Sequence, residues 1–203
     1  MPGDSFCIQY TNCEGCPRAA ENILAHKNLP KGEHIPKDKC TQNCMIFMIK
    51  GELLINSEEY PGNILREKQF ILQAIGSKIE LLALTDVEYI VYWFNELPLL
   101  CEDRYKEVME QAEAPLTYTP MIMSERIFHL ITSMPEFLNE ESPCSKYIEL
   151  KCKELVFLIT NFYPLPQLSS FFYPISTYTE SFHYFVMQNY STVKNVEEFA
   201  HLG

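Results

Sequence analysis

Between residues 44 and 97 apolar side chains come in short runs, each closed by a turn signal. The run 44–50 stops at Gly51, and 52–55 returns to a turn at Asn56-Ser57. Residues 58–60 lead into Pro61-Gly62-Asn63, where Pro fixes φ and Gly accepts a positive one. The run 69–75 ends at Gly76-Ser77, and 78–84 is parted from 87–94 by Thr85-Asp86. The segments are too short for helices and rich in Ile, Val, Tyr and Phe. Strands recurring at about ten-residue spacing predict a sandwich or small barrel.

The run 87–94 carries more information than the others. At period two, Val87, Tyr89, Val91 and Trp93 share one face, and Ile90, Tyr92 and Phe94 share the other. Both faces are apolar, so this strand needs a packed interior on one side and an outer cover on the other. The helical pattern that follows Leu97-Pro98 is the expected cover. Residues 99–113 are ambiguous, and Pro115 and Pro120 mark a loop. A helix is predicted over 121–131, with Ile122, Ile127, Leu130 and Ile131 as its apolar positions. Ser142-Pro143 opens a further helix that runs to about Tyr163, with Ser as N-cap and Pro in the first helical position, and Pro164 and Pro166 stop it. Two more helices are predicted over 165–173 and 179–189. A last one starts near Val196, with Asn195 as N-cap and Glu197 and Glu198 in the first turn.

Within the helix ending at Tyr163, apolar Ile148, Cys152, Leu155, Ile159 and Phe162 recur at alternating spacings of four and three. That is a heptad seam, the pattern of a two-helix interface and here a candidate dimer contact. Over two heptads, a helix that faces its own core has the same spacing.

Composition narrows the function. The 203 residues are 47% hydrophobic with a net charge of −11. The chain can bury a core, and its acidity argues against gripping a phosphate backbone as it stands. No apolar run approaches a membrane span, and no signal peptide is visible. A cytoplasmic chain is expected, with its eight cysteines mostly as thiols.

Two segments resemble a known family. Met45-Ile-Phe-Met-Ile-Lys-Gly-Glu-Leu-Leu-Ile-Asn, with the later Tyr89-Ile-Val-Tyr-Trp-Phe-Asn, resembles the cupin-like barrel of AraC-type transcriptional regulators. Phe182-His-Tyr-Phe-Val-Met-Gln-Asn-Tyr-Ser-Thr-Val-Lys-Asn-Val-Glu-Glu-Phe-Ala resembles the start of that family's helix-turn-helix DNA-binding domain. The helix over 144–163 resembles its linker helix. The resemblance implies an α+β chain, an N-terminal cupin-like β-barrel followed by a helical segment. Its divisions would be 1–97 for the barrel and its N-terminal arm, 98–176 for a helical linker and dimerisation segment, and 177–203 for the truncated start of a DNA-binding domain. It also implies a small-molecule effector of unknown identity, a homodimer, and DNA contact only through a C-terminal domain missing here. From residue 177 onward Lys194 is the sole basic side chain apart from two histidines.

Candidate chemistry is sparse. Cys13 and Cys16, with Cys40 and Cys44, have spacings that a four-thiolate zinc site can use. Against that, Cys44 begins an apolar strand, where a thiol acts as a small hydrophobe. Neither a resident metal nor another cofactor is expected. A metal-dependent cupin enzyme, the alternative on the same fold, needs converging imidazoles, and 45–97 holds no histidine; no enzymatic activity is expected. A stand-alone protein-interaction module is the other alternative. Phe47, Tyr89, Trp93 and His34 are the candidates for an effector pocket, against plain core packing for the aromatics and a surface position for His34. His26 lies before the barrel, and His129 and His183 are expected to be packing or surface residues.

Overall fold

The computed structural model describes residues 24–139 and 144–176. The strands are β1 (Leu24–Leu29), β2 (His34–Lys39), β3 (Asn43–Lys50), β4 (Glu52–Asn56), β5 (Asn63–Arg66), β6 (Gln69–Gln73), β7 (Lys78–Ala83), β8 (Val87–Phe94) and β9 (Met121–Ile122). The helices are α1 (Glu102–Glu110), α2 (Glu125–Leu138), α3 (Ser145–Phe162) and α4 (165–176). One sheet has the order β1-β8-β3-β6-β9 and the other β2-β7-β4-β5, with every pairing antiparallel. Eight strands that pass between two facing sheets in this order form a double-stranded β-helix, the jelly roll of cupins. The fold is therefore α+β, a cupin-like barrel followed by a helical segment.

The two sheets differ because their sequences do. In β4 and β7, Leu53, Ile55, Leu81 and Ala83 point between the sheets, and most of their neighbours stay partly exposed. This is the alternation of a sheet with one wet face. In the other sheet both parities are apolar. Cys44, Ile46, Met48, Ile71, Val87, Tyr89 and Val91 face the interior. Met45, Phe47, Phe70, Leu72, Ile90, Tyr92 and Phe94 face the opposite way and join the core made with the helices. The cover expected from the two-faced 87–94 run is thus supplied by α1 to α4. Residues 98–176 share a core with the barrel, and β9 returns to the sheet beside β6.

Gly51 makes the crossing from β3 to β4 possible. Its φ is +91°, and a Cβ there would clash with the Asp86 carbonyl oxygen and lie 2.8 Å from the Thr85 hydroxyl. Only glycine meets both demands.

Three helix boundaries differ from the sequence pattern or sharpen it. The expected helix over 121–131 begins at Glu125 and runs on to Leu138. Ser124 is its N-cap, accepting from the Ile127 amide at 3.4 Å. Upstream of that cap, Met121 and Ile122 pair with Phe70 and Gln69 as β9, and the Tyr163 hydroxyl donates to the Ile122 carbonyl at 2.7 Å. The unpaired edge of β6 thus overrides the apolar spacing. In the ambiguous stretch 99–113, α1 forms. The helix expected to open at Ser142-Pro143 instead begins at Ser145 with an extended Cys144 as its N-cap, and it ends at Phe162 before an extended Tyr163 and Pro164; Ser142 and Pro143 themselves lie outside the described residues, as do the helices expected over 179–189 and from 196.

Candidate functional site

At one end of the barrel the turn after β4 gathers polar groups that are largely removed from water. The Ser57 hydroxyl accepts from the Tyr60 amide at 3.0 Å and from the Gln73 side-chain amide at 3.1 Å. The Ser77 hydroxyl is 3.2 Å from the Gln73 carbonyl oxygen. Ser57 also hydrogen-bonds the Glu59 carboxylate, whose Oε2 is buried without a partner. Burial raises the Glu59 carboxyl above its ordinary value, partly offset by hydrogen bonds from its own backbone and Ser57.

Tyr60 is buried beside this cluster, and its ring lies 5.9 Å from that of Tyr118. Burial pushes the Tyr60 phenol well up, with a hydrogen bond to the Leu72 backbone working the other way. Tyr118 sits on the connection between α1 and β9 and is also raised by burial. Together with Thr117, Thr119, Gln167 and Phe171, these two tyrosines line a cleft of about 230 Å³. One wall is the barrel end and the opposite wall is α4. A second cleft of about 300 Å³ runs from Asn43, Phe94 and Asn95 to Tyr105 and Ile175, so it also meets α4. Mixed aromatic and hydroxyl or amide lining suits a small ligand with an apolar body and a few polar groups.

An aromatic chain connects these walls to the sheet. Phe47 stacks on Phe70 at 5.2 Å, Phe70 meets Phe171 edge-on at 5.2 Å, and Phe171 meets Phe172 at 5.1 Å. Phe172 in turn meets Tyr105 at 5.6 Å. The contacts run from β3 through β6 to α4 and α1.

The residues expected to line an effector pocket do not come together. Phe47 faces the helices, whereas Tyr89 faces the interior between the sheets. Trp93 shares the side of Tyr89 and is only partly buried. His34 lies on the outer sheet, where its Nε2 is 2.8 Å from Glu80, in a pair open to solvent. His26 sits between strand and helix, with Glu88 at 2.9 Å on one ring nitrogen and the Asn139 amide at 3.1 Å from the other. The cleft residues Tyr60, Tyr118, Gln167 and Phe171 carry no mutual sequence signal. The nearest hints are the Pro61-Gly62 turn after Tyr60 and the loop between Pro115 and Pro120.

The seam on α3 has the face its spacing implies, but that face is occupied within the chain. Ile148, Cys152, Leu155 and Ile159 are buried in the shared core, and Phe162 is exposed with the Arg126 guanidinium over its ring at 4.5 Å. The other side of α3 leaves Tyr147, Leu150 and Phe157 exposed.

Of the cysteines expected as zinc ligands, Cys13 and Cys16 lie outside the described residues. Cys40 and Cys44 do come close enough for their side chains to interact. Among the described residues no group of three or more His, Cys, Asp or Glu side chains is arranged to hold a metal ion, and no helix is long and apolar enough to cross a membrane.

No family model matches the chain, and no curated protein matches it in sequence. Solved structures do resemble it in part. A cupin-family protein of double-stranded β-helix fold from Methanocaldococcus jannaschii is 21% identical, over 36% of this chain and 69% of that one, with a TM-score of 0.33. A cupin superfamily protein from Desulfitobacterium hafniense is 8% identical, over 38% and 72%, with a TM-score of 0.36. A predicted oxalate decarboxylase from Thermotoga maritima is 14% identical, over 36% and 65%, with a TM-score of 0.34. The strand order, rather than these partial overlaps, carries the fold assignment.

Proposed function

We propose that this chain is the effector-sensing part of an AraC-type transcriptional regulator. One observation carries the reading: α4 immediately precedes in sequence the segment that resembles the start of a DNA-binding domain, and it also forms a wall of the Tyr60–Tyr118 cleft. An effector held there touches the barrel end and α4 at once. Through Phe171, Phe70 and Phe47 it also bears on the sheet. The effector would work by binding one placement of α4 more tightly than another, because a ligand shifts an equilibrium only by its difference in affinity for the two states. The placement of whatever follows α4 would change with it.

Two measurements test the reading. Sequencing the gene beyond codon 203 is expected to reveal a basic region with a second helix-turn-helix; a stop codon there overturns the regulator assignment. Thermal unfolding of the chain in the presence of monosaccharides and small aromatic acids, one at a time, tests sensing. At least one compound is expected to raise the unfolding temperature of the parent, with the shift lost in Tyr118→Ala. A panel that stabilises neither protein, or both equally, counts against the cleft.

A further inference from the structure

Cys40 and Cys44 lie at the corner where the chain turns from β2 into β3. Backbone hydrogen bonds clamp the corner: the Cys40 amide donates to the Ser77 carbonyl at 2.8 Å, and the Gly76 amide donates to the Cys40 carbonyl at 2.8 Å. The two thiols lie close enough to interact with each other, and Ser77 sits beside Cys40. Their surroundings differ sharply. Cys40 is partly open to solvent, whereas Cys44 points into the barrel interior and is buried. An accessible sulfur with a sheltered sulfur in contact behind it is the arrangement of an attacking and a resolving cysteine.

We propose that Cys40 and Cys44 form a reversible oxidation site at which a hydroperoxide converts the dithiol to an intramolecular disulfide. The Cys40 thiolate attacks one peroxide oxygen. The S–O bond forms, the O–O bond breaks, and the departing oxygen takes up a proton and leaves as water when the oxidant is hydrogen peroxide. Cys40 is then a sulfenic acid. The Cys44 sulfur attacks it, the S–S bond forms, the S–O bond breaks, and the Cys44 proton leaves with the hydroxide as a second water. Two thiols and one hydrogen peroxide give one disulfide and two waters, and a dithiol reductant reverses the change.

Electrostatics support the division of labour. The interaction with Cys44, helped by Ser77, lowers Cys40 to about 7 against burial and the nearby Glu59 and Asp38 charges. Cys44 is raised well above the ordinary thiol value, first by its interaction with Cys40 and then by burial. Near neutral pH the accessible sulfur is thus the one with substantial thiolate character, and thiolate is the nucleophile.

The test uses the full, unmodified chain. Trypsin cleavage after Lys39 and Lys50 places both cysteines on the single peptide 40–50. After brief exposure to hydrogen peroxide and blocking of free thiols, mass spectrometry is expected to find this peptide two hydrogens lighter and unblocked, with dithiothreitol restoring it. Before oxidation, Cys40 is expected to react with iodoacetamide at pH 7 about tenfold faster than Cys101 does, a preference lost in urea. In Cys44→Ser, oxidation is expected to stop at a Cys40 sulfenic acid that dimedone captures. The proposal is overturned if Cys40 and Cys44 both remain blockable after peroxide, or if either is found linked to a different cysteine. It also falls if Cys40 shows no preference over Cys101.

Discussion

Glu59 is held in the fold under a penalty. Its Oε2 is enclosed without a hydrogen-bond donor, and its carboxyl is raised by burial. A carboxyl raised in the folded state takes up protons on folding, so the chain loses stability as pH climbs from the ordinary carboxylate value through the raised one. Glu59→Gln removes the charge and keeps the shape. It is expected to raise the unfolding temperature at pH 7, with the gain shrinking as the pH falls through the raised value and vanishing below 4.5, the unshifted value. Thermal scans of both proteins across that range check this, and a gain that grows toward acid contradicts it. Backbone conformation offers a second case. Gly32 and Gly51 both have positive φ, at +86° and +91°, but only Gly51 lacks room for a Cβ. Gly32→Ala is expected to cost about 1 kcal/mol from strain alone. Gly51→Ala should exceed it by roughly 1–3 kcal/mol, because the β3–β4 crossing must move away from Thr85 and Asp86. Urea denaturation compares the two, and equal losses would show that the crowding is relieved at no cost.

Among the elements, α3 shows how far spacing can be read. Leu155→Ala opens a void in the shared core and is expected to cost about 2–5 kcal/mol. Phe162→Ala loses an exposed ring with a cation above it and should cost about 1 kcal/mol or less. Chemical unfolding at two protein concentrations separates this from a seam between subunits, which predicts a loss that depends on concentration for both. The heptad spacing identified the buried face correctly at Ile148, Cys152, Leu155 and Ile159, but spacing alone does not say which surface covers a face. The β8 sequence was more informative, since apolar residues at both parities required two partners. In contrast, β1 and β2 mix charged and apolar residues, and β2 has an exposed outer face with little pattern to read. The strand at Met121 and Ile122 was hidden because its identity depends on a distant edge, that of β6. The cleft was hidden for the same reason, with Tyr60, Tyr118 and Phe171 brought together only by the folded chain.

For the whole molecule, the two-sided sheet decides how the parts depend on one another. Met45, Phe47, Phe70, Leu72, Ile90, Tyr92 and Phe94 lie against the helices. A chain ending at residue 97 contains all eight barrel strands and none of that cover. It is expected to bind a hydrophobic dye strongly and to aggregate, whereas a chain extending through 176 should do neither; light scattering and dye fluorescence compare them. A monodisperse, dye-free fragment would show that the barrel stands alone. The same layout has a consequence during synthesis. The ribosome releases β8, which must slot between β1 and β3, well before α3 and α4 emerge to shield the sheet. For that interval the nascent chain displays a finished but uncovered greasy surface, so the moments between the last strand and the last helix are when it most needs a chaperone.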